Sequence, residues 1–254
     1  MLTTAIAAAD ECGIPHSNVF VFNLPGDHVP EGHQSWKKLI SYGEQDWIAV
    51  EDADNATAGY FSTSGTSGLP KAAIVSHSYL TSQGQIQADN ASASHKVSLT
   101  RELILKENTY SSQISYLIAL PPFHAYIFPI QHSLPLRKGI PVYVMSRYQP
   151  KGFLSAIEQF QISQIAVVPP ILVSLTKSPL CNKNSLKSLR RIYVAGSSAK
   201  KEMQQQLYKL ISPAARIENV YGMTESGWTA STWRDRKRDQ TGSIGTPFPG
   251  IQLR

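Results

Sequence analysis

Three clusters in this 254-residue sequence hold residue types suited to chemistry on an anion. The first is Thr63-Ser64-Gly65-Thr66-Ser67-Gly68-Leu69-Pro70-Lys71. Its glycines permit positive φ, so backbone N–H groups and hydroxyls can turn toward one point. The lysine at its end is a point charge suited to phosphate. The second cluster is Tyr221-Gly222-Met223-Thr224-Glu225, where a hydroxyl beside a carboxylate can hold hydrated Mg²⁺ and a phosphate oxygen together. The third is Pro121-Pro122-Phe123-His124-Ala125-Tyr126, which offers an imidazole beside aromatic rings.

Each cluster also has a plainer reading. A Ser/Gly-rich loop is often a surface turn, and Thr-Glu is a common helix start because Thr caps and acids favour the first turn. An isolated His after a buried strand is often a satisfied core group. The loop is neither a Walker A sequence, since Pro70 precedes the lysine and Ala72 follows it, nor a dinucleotide fingerprint. Ser174 to Lys177 and Ser197 to Lys200 match Ser-x-x-Lys, but no S-D-N or K-T-G accompanies them, which argues against a Ser/Lys hydrolase.

The elements that must position these clusters read as an α/β fold. Leu2, Ile6 and Ala9 sit at helical spacing, ended by Gly13 and Pro15. VFVF (19–22) is a strand candidate, and Trp36, Leu39 and Ile40 hint at a short helix. Tyr60 and Phe61 lead into the first cluster, and a polar helix is expected from about Ser78. The stretch 94–112 has no clear period and reads as a loop or insertion. From Tyr116 onward YLIAL, IPVYVM, IAVV and RIYVA read as buried strands. Helical patterns lie between them, at Phe153, Ile157 and Phe160, and at Met203, Leu207, Leu210 and Ile211. Alternating strands and helices argue for a largely parallel sheet, which binds ligands at the carboxyl ends of its strands. PPFHAY, AGSS and VYGMTES each follow a strand candidate and are expected on one edge, near the Gly59–Lys71 loop.

Composition narrows the class. With 42% hydrophobic and 17% charged residues the chain can bury a substantial core. Cys12 and Cys181 provide neither a disulfide framework nor metal-ligand spacing, so a reducing compartment is expected. The first residues lack a basic signal-peptide region, and no segment approaches the length of a membrane span. A cytoplasmic protein follows, with the peroxisome left open. A net charge of +6 attracts anions without choosing among ATP, coenzyme A and nucleic acid. The basic run Arg234 to Arg238 reads as a solvated loop, so no nucleic-acid partner is expected.

Together these pieces resemble the adenylate-forming (AMP-binding) superfamily, and within it the 4-coumarate–CoA ligase-like acyl/aryl-CoA ligases. That family's phosphate loop, (S/T)-S-G-T-(S/T)-G-x-P-K, is matched in full at 63–71. Its Pro-Phe-His is similar to Pro122-Phe123-His124, its Y-G-M-T-E stands unbroken at 221–225, and GSIGTPFPGIQLR is similar to the segment that follows. The resemblance implies a partial large N-terminal domain over 1–254, an incomplete adenylation domain of mostly parallel sheets flanked by helices. It implies that ATP, Mg²⁺ and coenzyme A convert an organic acid to acyl-AMP and then to a thioester, in secondary metabolism. Thr63, Ser64, Gly65, Thr66, Ser67, Gly68 and Lys71 would then cradle the β/γ-phosphates. Thr224 would meet the α-phosphate and Glu225 would hold the metal. His124 would line the meeting point of acyl group and thiol. Tyr126, Gly196, Asn219, Val220, Tyr221 and Gly222 would border the acyl pocket, and Arg147 would approach coenzyme A. Lys71, His124, Thr224 and Glu225 are the catalytic candidates.

Departures from the family pattern bear on activity. Ala72 and Val220 stand where glycine is usual, so a narrower pocket or a reshaped backbone is expected at Val220. The family's ribose-binding aspartate, hinge and lysine-bearing C-terminal domain have no counterpart in this sequence, and the start reads as lying inside the large domain. A chain truncated at both ends, with weak or no turnover of its own, is expected. The alternative is a non-enzymatic remnant or a subunit whose partner is a second chain supplying the missing domain.

Overall fold

The structure is a computed structural model that describes residues 2–23, 26–44, 46, 48–63, 68–96, 114–197, 199–231 and 242–252, with side chains of 87–96 excepted. The chain forms two compact units, residues 1–49 and 50–254.

In the first unit, α1 (Leu2–Glu11) follows the expected helical spacing and buries Ala9. His16 Nε2 lies 2.6 Å from Asp10 Oδ1, which ties the following turn back to the helix. Two-residue strands β1 (Phe20–Val21) and β2 (Gln34–Ser35) pair in parallel. Phe22 stacks on Trp36 at 4.6 Å, and the Trp36 indole N–H donates to Asn23 O. The short helix expected near Trp36 is α2 (Lys37–Ile40).

The second unit begins with an antiparallel hairpin, β3 (Thr57–Thr63) and β4 (Lys71–Ser76), whose register pairs Thr63 with Lys71. Strand β4 was not expected: the residues after the lysine form a strand, and helix α3 (His77–Lys96) starts only after them. Residues 94–96 complete this helix rather than starting a loop; 97–112 lie outside the described residues.

A seven-stranded sheet follows, in the order β11-β10-β9-β8-β7-β5-β6. Strands β5 (Tyr116–Ile118), β6 (Val142–Val144), β7 (Gln164–Val167), β8 (Arg191–Val194) and β9 (Arg216–Met223) run parallel. Strands β10 (Gly227–Ser231) and β11 (Thr246–Pro247) add an antiparallel edge. The central strands are continuous apolar runs because both faces are covered. On one face Leu117, Ile165, Val167, Ile192 and Val194 pack against Phe153, Leu154 and Ile157 of α5 (Pro150–Gln159), Leu172 of α6 (Pro169–Lys177) and Leu207 of α7 (Lys201–Tyr208). Prolines start α5 and α6, where the missing N–H costs no helical bond. On the other face Tyr116, Ile118, Ala166, Tyr193 and Val220 pack with Tyr126, Ile127, Ile130, Trp228 and Phe248. Ile130 belongs to a π-helical turn (Pro129–Ser133) that runs into α4 (Leu134–Lys138).

The strand order contains a reversal. From β5 the chain moves outward to β6, then returns past β5 to lay down β7, β8 and β9 on the other side. The crevice outside the carboxyl ends of β5 and β7 is therefore the topological switch point, where open α/β sheets bind ligands.

Candidate active site

A cavity of about 240 Å³ opens at that switch point. The segment after β5 contributes His124, Ala125 and Tyr126, the turn after β8 contributes Ala195 and Gly196, and the β9–β10 hairpin contributes Val220, Gly222, Met223, Thr224, Gly227 and Trp228.

Local backbone geometry explains each contribution. The His124 carbonyl accepts the N–H groups of Ile127 (2.8 Å) and Phe128 (3.0 Å), so the chain coils into a turn as soon as it leaves β5. His124 Nδ1 accepts the Tyr126 N–H at 3.1 Å, which makes Nδ1 the unprotonated nitrogen of the neutral ring. Gly196 takes φ +83°, a conformation that suits glycine, and an added Cβ would lie 3.4 Å from Val168 Cγ1.

The β9–β10 hairpin is held by close backbone approach. A Cβ on Gly222 would lie 2.1 Å from the Gly227 carbonyl oxygen, so only glycine fits there. Gly227 takes φ +66°. Thr224 and Glu225 occupy the turn between the two strands. They do not start a helix, and Val220–Met223 belong to β9 itself instead of following it. The hairpin closes early because Met223 pairs with Gly227.

Helix α3 braces this hairpin. The Tyr79 hydroxyl donates to Thr224 O at 3.2 Å. Burial, reinforced by the negative charge of Glu225, pushes the Tyr79 pKa up to about 12, so the phenol stays protonated as a donor. Gln83 accepts the Trp228 N–H at 2.8 Å and donates to Ser226 O at 3.3 Å. Because α3 follows β4 directly, the same helix connects the Lys71 strand to the Thr224 turn. Phe61 of β3 also meets Phe128 edge to face at 5.6 Å.

Two aromatic residues, Tyr126 and Trp228, are among those lining the cavity. Trp228 is 2% exposed, stacks on Tyr126 at 5.7 Å and meets Tyr193 edge-on at 5.5 Å. Its indole N–H donates to Tyr126 O at 2.9 Å. The Tyr126 hydroxyl donates to Val167 O at 3.4 Å, and burial pushes its pKa well up.

Of the residues singled out from sequence, the cavity brings together His124, Tyr126, Gly196, Val220, Gly222 and Thr224. Glu225 is the exposed neighbour of Thr224 in the turn. Asn219, Tyr221 and Arg147 are not among the lining residues: Asn219 donates to Ser243 O at 2.9 Å, Tyr221 is 41% exposed, and Arg147 is exposed in the bend after β6. Thr63 and Lys71 face each other at the end of the β3–β4 hairpin, and Gly68 takes φ +138°. Ser64, Gly65, Thr66 and Ser67 lie outside the described residues, as does the basic run 234–238.

Sequence reasoning missed Trp228, Gln83, Tyr79 and Gly227. A tryptophan three residues after Glu225 is a usable signal, because so large a ring is usually buried and its indole N–H then needs an acceptor.

The donor set suits a hard cation with phosphate. Among the described residues no three His, Cys, Asp or Glu side chains cluster as a metal cage. Mg²⁺ needs none, since it is commonly held by one or two carboxylates, waters and substrate phosphates. Glu225 with Thr224 fits that requirement.

The sheet with its switch-point cavity defines an open, mostly parallel α/β fold of the kind that binds ligands at its strand ends. The AMP-binding enzyme family model matches residues 17–254, and the chain belongs to that family. It is 32% identical over 257 residues to an acyl-CoA synthetase, ACTT5, of Alternaria alternata, covering all of this chain and 42% of that protein. It is 31% identical over 235 residues to 4-coumarate-CoA ligase 2 of Narcissus pseudonarcissus, covering 89% of this chain and 38% of that protein. Among solved structures, the luciferase-like enzyme from the nonluminescent Zophobas morio mealworm superimposes with a TM-score of 0.73 at 19% identity, covering 98% of this chain and 53% of that one. The chain thus spans less than half the length of these two curated relatives. Among the described residues no helix is long and apolar enough to cross a membrane.

Proposed function

We propose that the switch-point cavity binds an acyl-adenylate, as part of an ATP-dependent acid–CoA ligase whose adenylation domain includes residues 1–254. The observation that carries this reading is the convergence of His124, Tyr126, Gly196, Thr224 and Trp228 on one cavity beside the Glu225 turn. In the first step a carboxylate oxygen attacks the α-phosphorus of ATP, the bond to the bridging oxygen breaks, and pyrophosphate leaves. In the second the sulfur of coenzyme A, its proton lost to solvent, attacks the acyl carbonyl, and AMP departs with the electron pair of the broken C–O bond.

The residues act by position and charge, which is what phosphoryl-type chemistry requires. Lys71, with the Thr63–Gly68 loop, holds the β/γ-phosphates, and the Thr224 hydroxyl bonds to the α-phosphate. Glu225 with Thr224 would hold Mg²⁺, whose contribution there would be to neutralise phosphate charge. The aromatic wall of Tyr126 and Trp228 receives the acyl group and excludes water. His124, with Nδ1 engaged by the Tyr126 N–H, presents Nε2 where acyl group and thiol meet. Names of relatives such as acyl-CoA synthetase and 4-coumarate-CoA ligase support an organic acid as substrate.

Titration calorimetry with Mg-ATP and with benzoyl-sulfamoyl adenosine, a stable acyl-adenylate mimic, tests the reading. The folded chain is expected to bind both, and Lys71→Ala is expected to weaken ATP by about tenfold or more while sparing the mimic, which has no β- or γ-phosphate. Folded protein that binds neither ligand overturns it.

A further inference from the structure

Gln83 has no role in the reading above, yet it is the most informative buried polar group near the cavity. It lies on α3, a helix of mostly polar sequence, and is 5% exposed. Both ends of its amide are committed to the β9–β10 hairpin: Oε1 to the Trp228 N–H at 2.8 Å and Nε2 to Ser226 O at 3.3 Å. The orientation of the amide follows from chemistry, because an N–H needs an acceptor and a carbonyl needs a donor. A Cβ on Gly227 would lie 2.4 Å from Gln83 Cδ, so the hairpin is shaped to admit this side chain. On the next residue of α3, a Cβ at Gly84 would come within 3.4 Å of Ser133 Cβ, so the helix is also close to the π-helical turn.

These contacts have a directional consequence. The Trp228 main chain is fixed by Gln83, and its indole N–H is fixed by Tyr126 O. Two anchors on one residue, together with packing against Tyr126 and Tyr193, hold Trp228 in place, and Trp228 is among the residues that line the cavity. The Tyr79 bond to Thr224 O, one helical turn earlier on α3, holds the other side of the same turn.

We propose that Gln83 is a positioning residue that sets the Trp228 wall and thereby determines which acyl groups the cavity accepts. The proposal rests on the acyl-adenylate reading of the cavity. It separates two functions on one hairpin: Thr224 and Glu225 face the nucleotide, whereas the Gln83–Trp228 unit governs the acyl group. A flat acyl group gains from a fixed indole face, and it loses that gain when the face can move.

The test compares benzoyl-sulfamoyl adenosine with sulfamoyl adenosine lacking the acyl group, on wild type, Gln83→Met and Gly227→Ala. Methionine keeps the volume of glutamine and removes both hydrogen bonds. The affinity gained from the benzoyl group is expected to fall about tenfold in Gln83→Met, the equivalent of one buried hydrogen bond, with the acyl-free compound unchanged. Gly227→Ala, which must displace Gln83 and also alters the cavity lining, is expected to lower the affinity gained from the benzoyl group as well. Hydrogen exchange of the Trp228 amide gives a ligand-free readout and is expected to quicken in both variants. An equal loss for both compounds marks a merely structural residue and overturns the proposal, as does faster exchange with unchanged acyl preference. If wild type binds neither compound, the acyl-adenylate reading fails and this proposal fails with it; if wild type binds both and Gln83→Met behaves as wild type, only this proposal fails.

Discussion

At the scale of single residues, the site depends on side chains whose protonation is fixed by surroundings. Tyr79 is the clearest case. Burial first, and then the Glu225 charge, raise its pKa to about 12 from an ordinary value of 10.0. A raised tyrosine pKa means that the folded state keeps a proton the unfolded state releases. The stability it contributes is therefore complete below pH 10 and is lost as pH rises toward 12. Burial pushes Tyr116, Tyr126 and Tyr193 in the same direction, so all four act together. Thermal unfolding is expected to move to lower temperature as pH rises through this window. In Glu225→Gln the Tyr79 phenol is expected to ionise at lower pH than in wild type, read by ultraviolet tyrosinate absorbance. An unchanged titration would remove Glu225 from the neighbourhood of Tyr79.

A second residue-scale feature is the ion pair of Arg191 with Glu218. Burial opposes the Arg191 charge, but Glu218 at 3.7 Å, aided by Tyr193 and Tyr116, more than offsets this and keeps the guanidinium charged. Removing one partner of such a pair costs about 3–5 kcal/mol, whereas replacing both with apolar groups is often neutral. Glu218→Ala is expected to lower the urea midpoint strongly, and the double variant Arg191→Met/Glu218→Leu is expected to recover most of the loss. A single variant as stable as wild type contradicts this reading of the pair.

At the scale of elements, the central strands were legible because strands buried on both faces read as unbroken apolar runs. YLIAL, IAVV and RIYVA became β5, β7 and β8 nearly as expected. The elements that were not legible owe their form to partners far along the chain. Strand β4 exists because it pairs with β3, not because KAAIVS has a strong strand pattern. Thr224-Glu225 has the composition of a helix start, yet it turns a hairpin because Gly222 and Gly227 approach within contact. Helix α3 is mostly polar, and although Tyr79, Leu80 and Ile86 at i−4, i−3 and i+3 put Gln83 on its apolar stripe, nothing in the local sequence says what its amide would bond. Those partners follow only from where the β9–β10 hairpin lies. Gly222→Ala tests the hairpin directly. Its new Cβ would meet a backbone carbonyl oxygen at 2.1 Å, which no side-chain rotation relieves. The expected loss of stability is about 2–4 kcal/mol, measured by chemical denaturation. A neutral substitution would mean that the two strands do not approach as described.

At the scale of the whole molecule, the second unit has a core on each face of its sheet and a cavity at the strand-order reversal. The motifs at 122–124 and 221–225 were visible in the sequence as separate strings. The fold explains why they belong together, since the strand ends at β5, β8 and β9 share one edge. What the sequence could not convey was the aromatic cluster beside the cavity, because Tyr126, Tyr193 and Trp228 are remote in the chain and meet only in the fold. The most direct test of the central claim is a crystal structure of the chain with benzoyl-sulfamoyl adenosine. The ligand is expected in the cavity, with its benzoyl ring against Trp228 and its sulfamoyl group beside the Thr224 hydroxyl. Ligand bound elsewhere, or an empty cavity at saturating ligand, would contradict it.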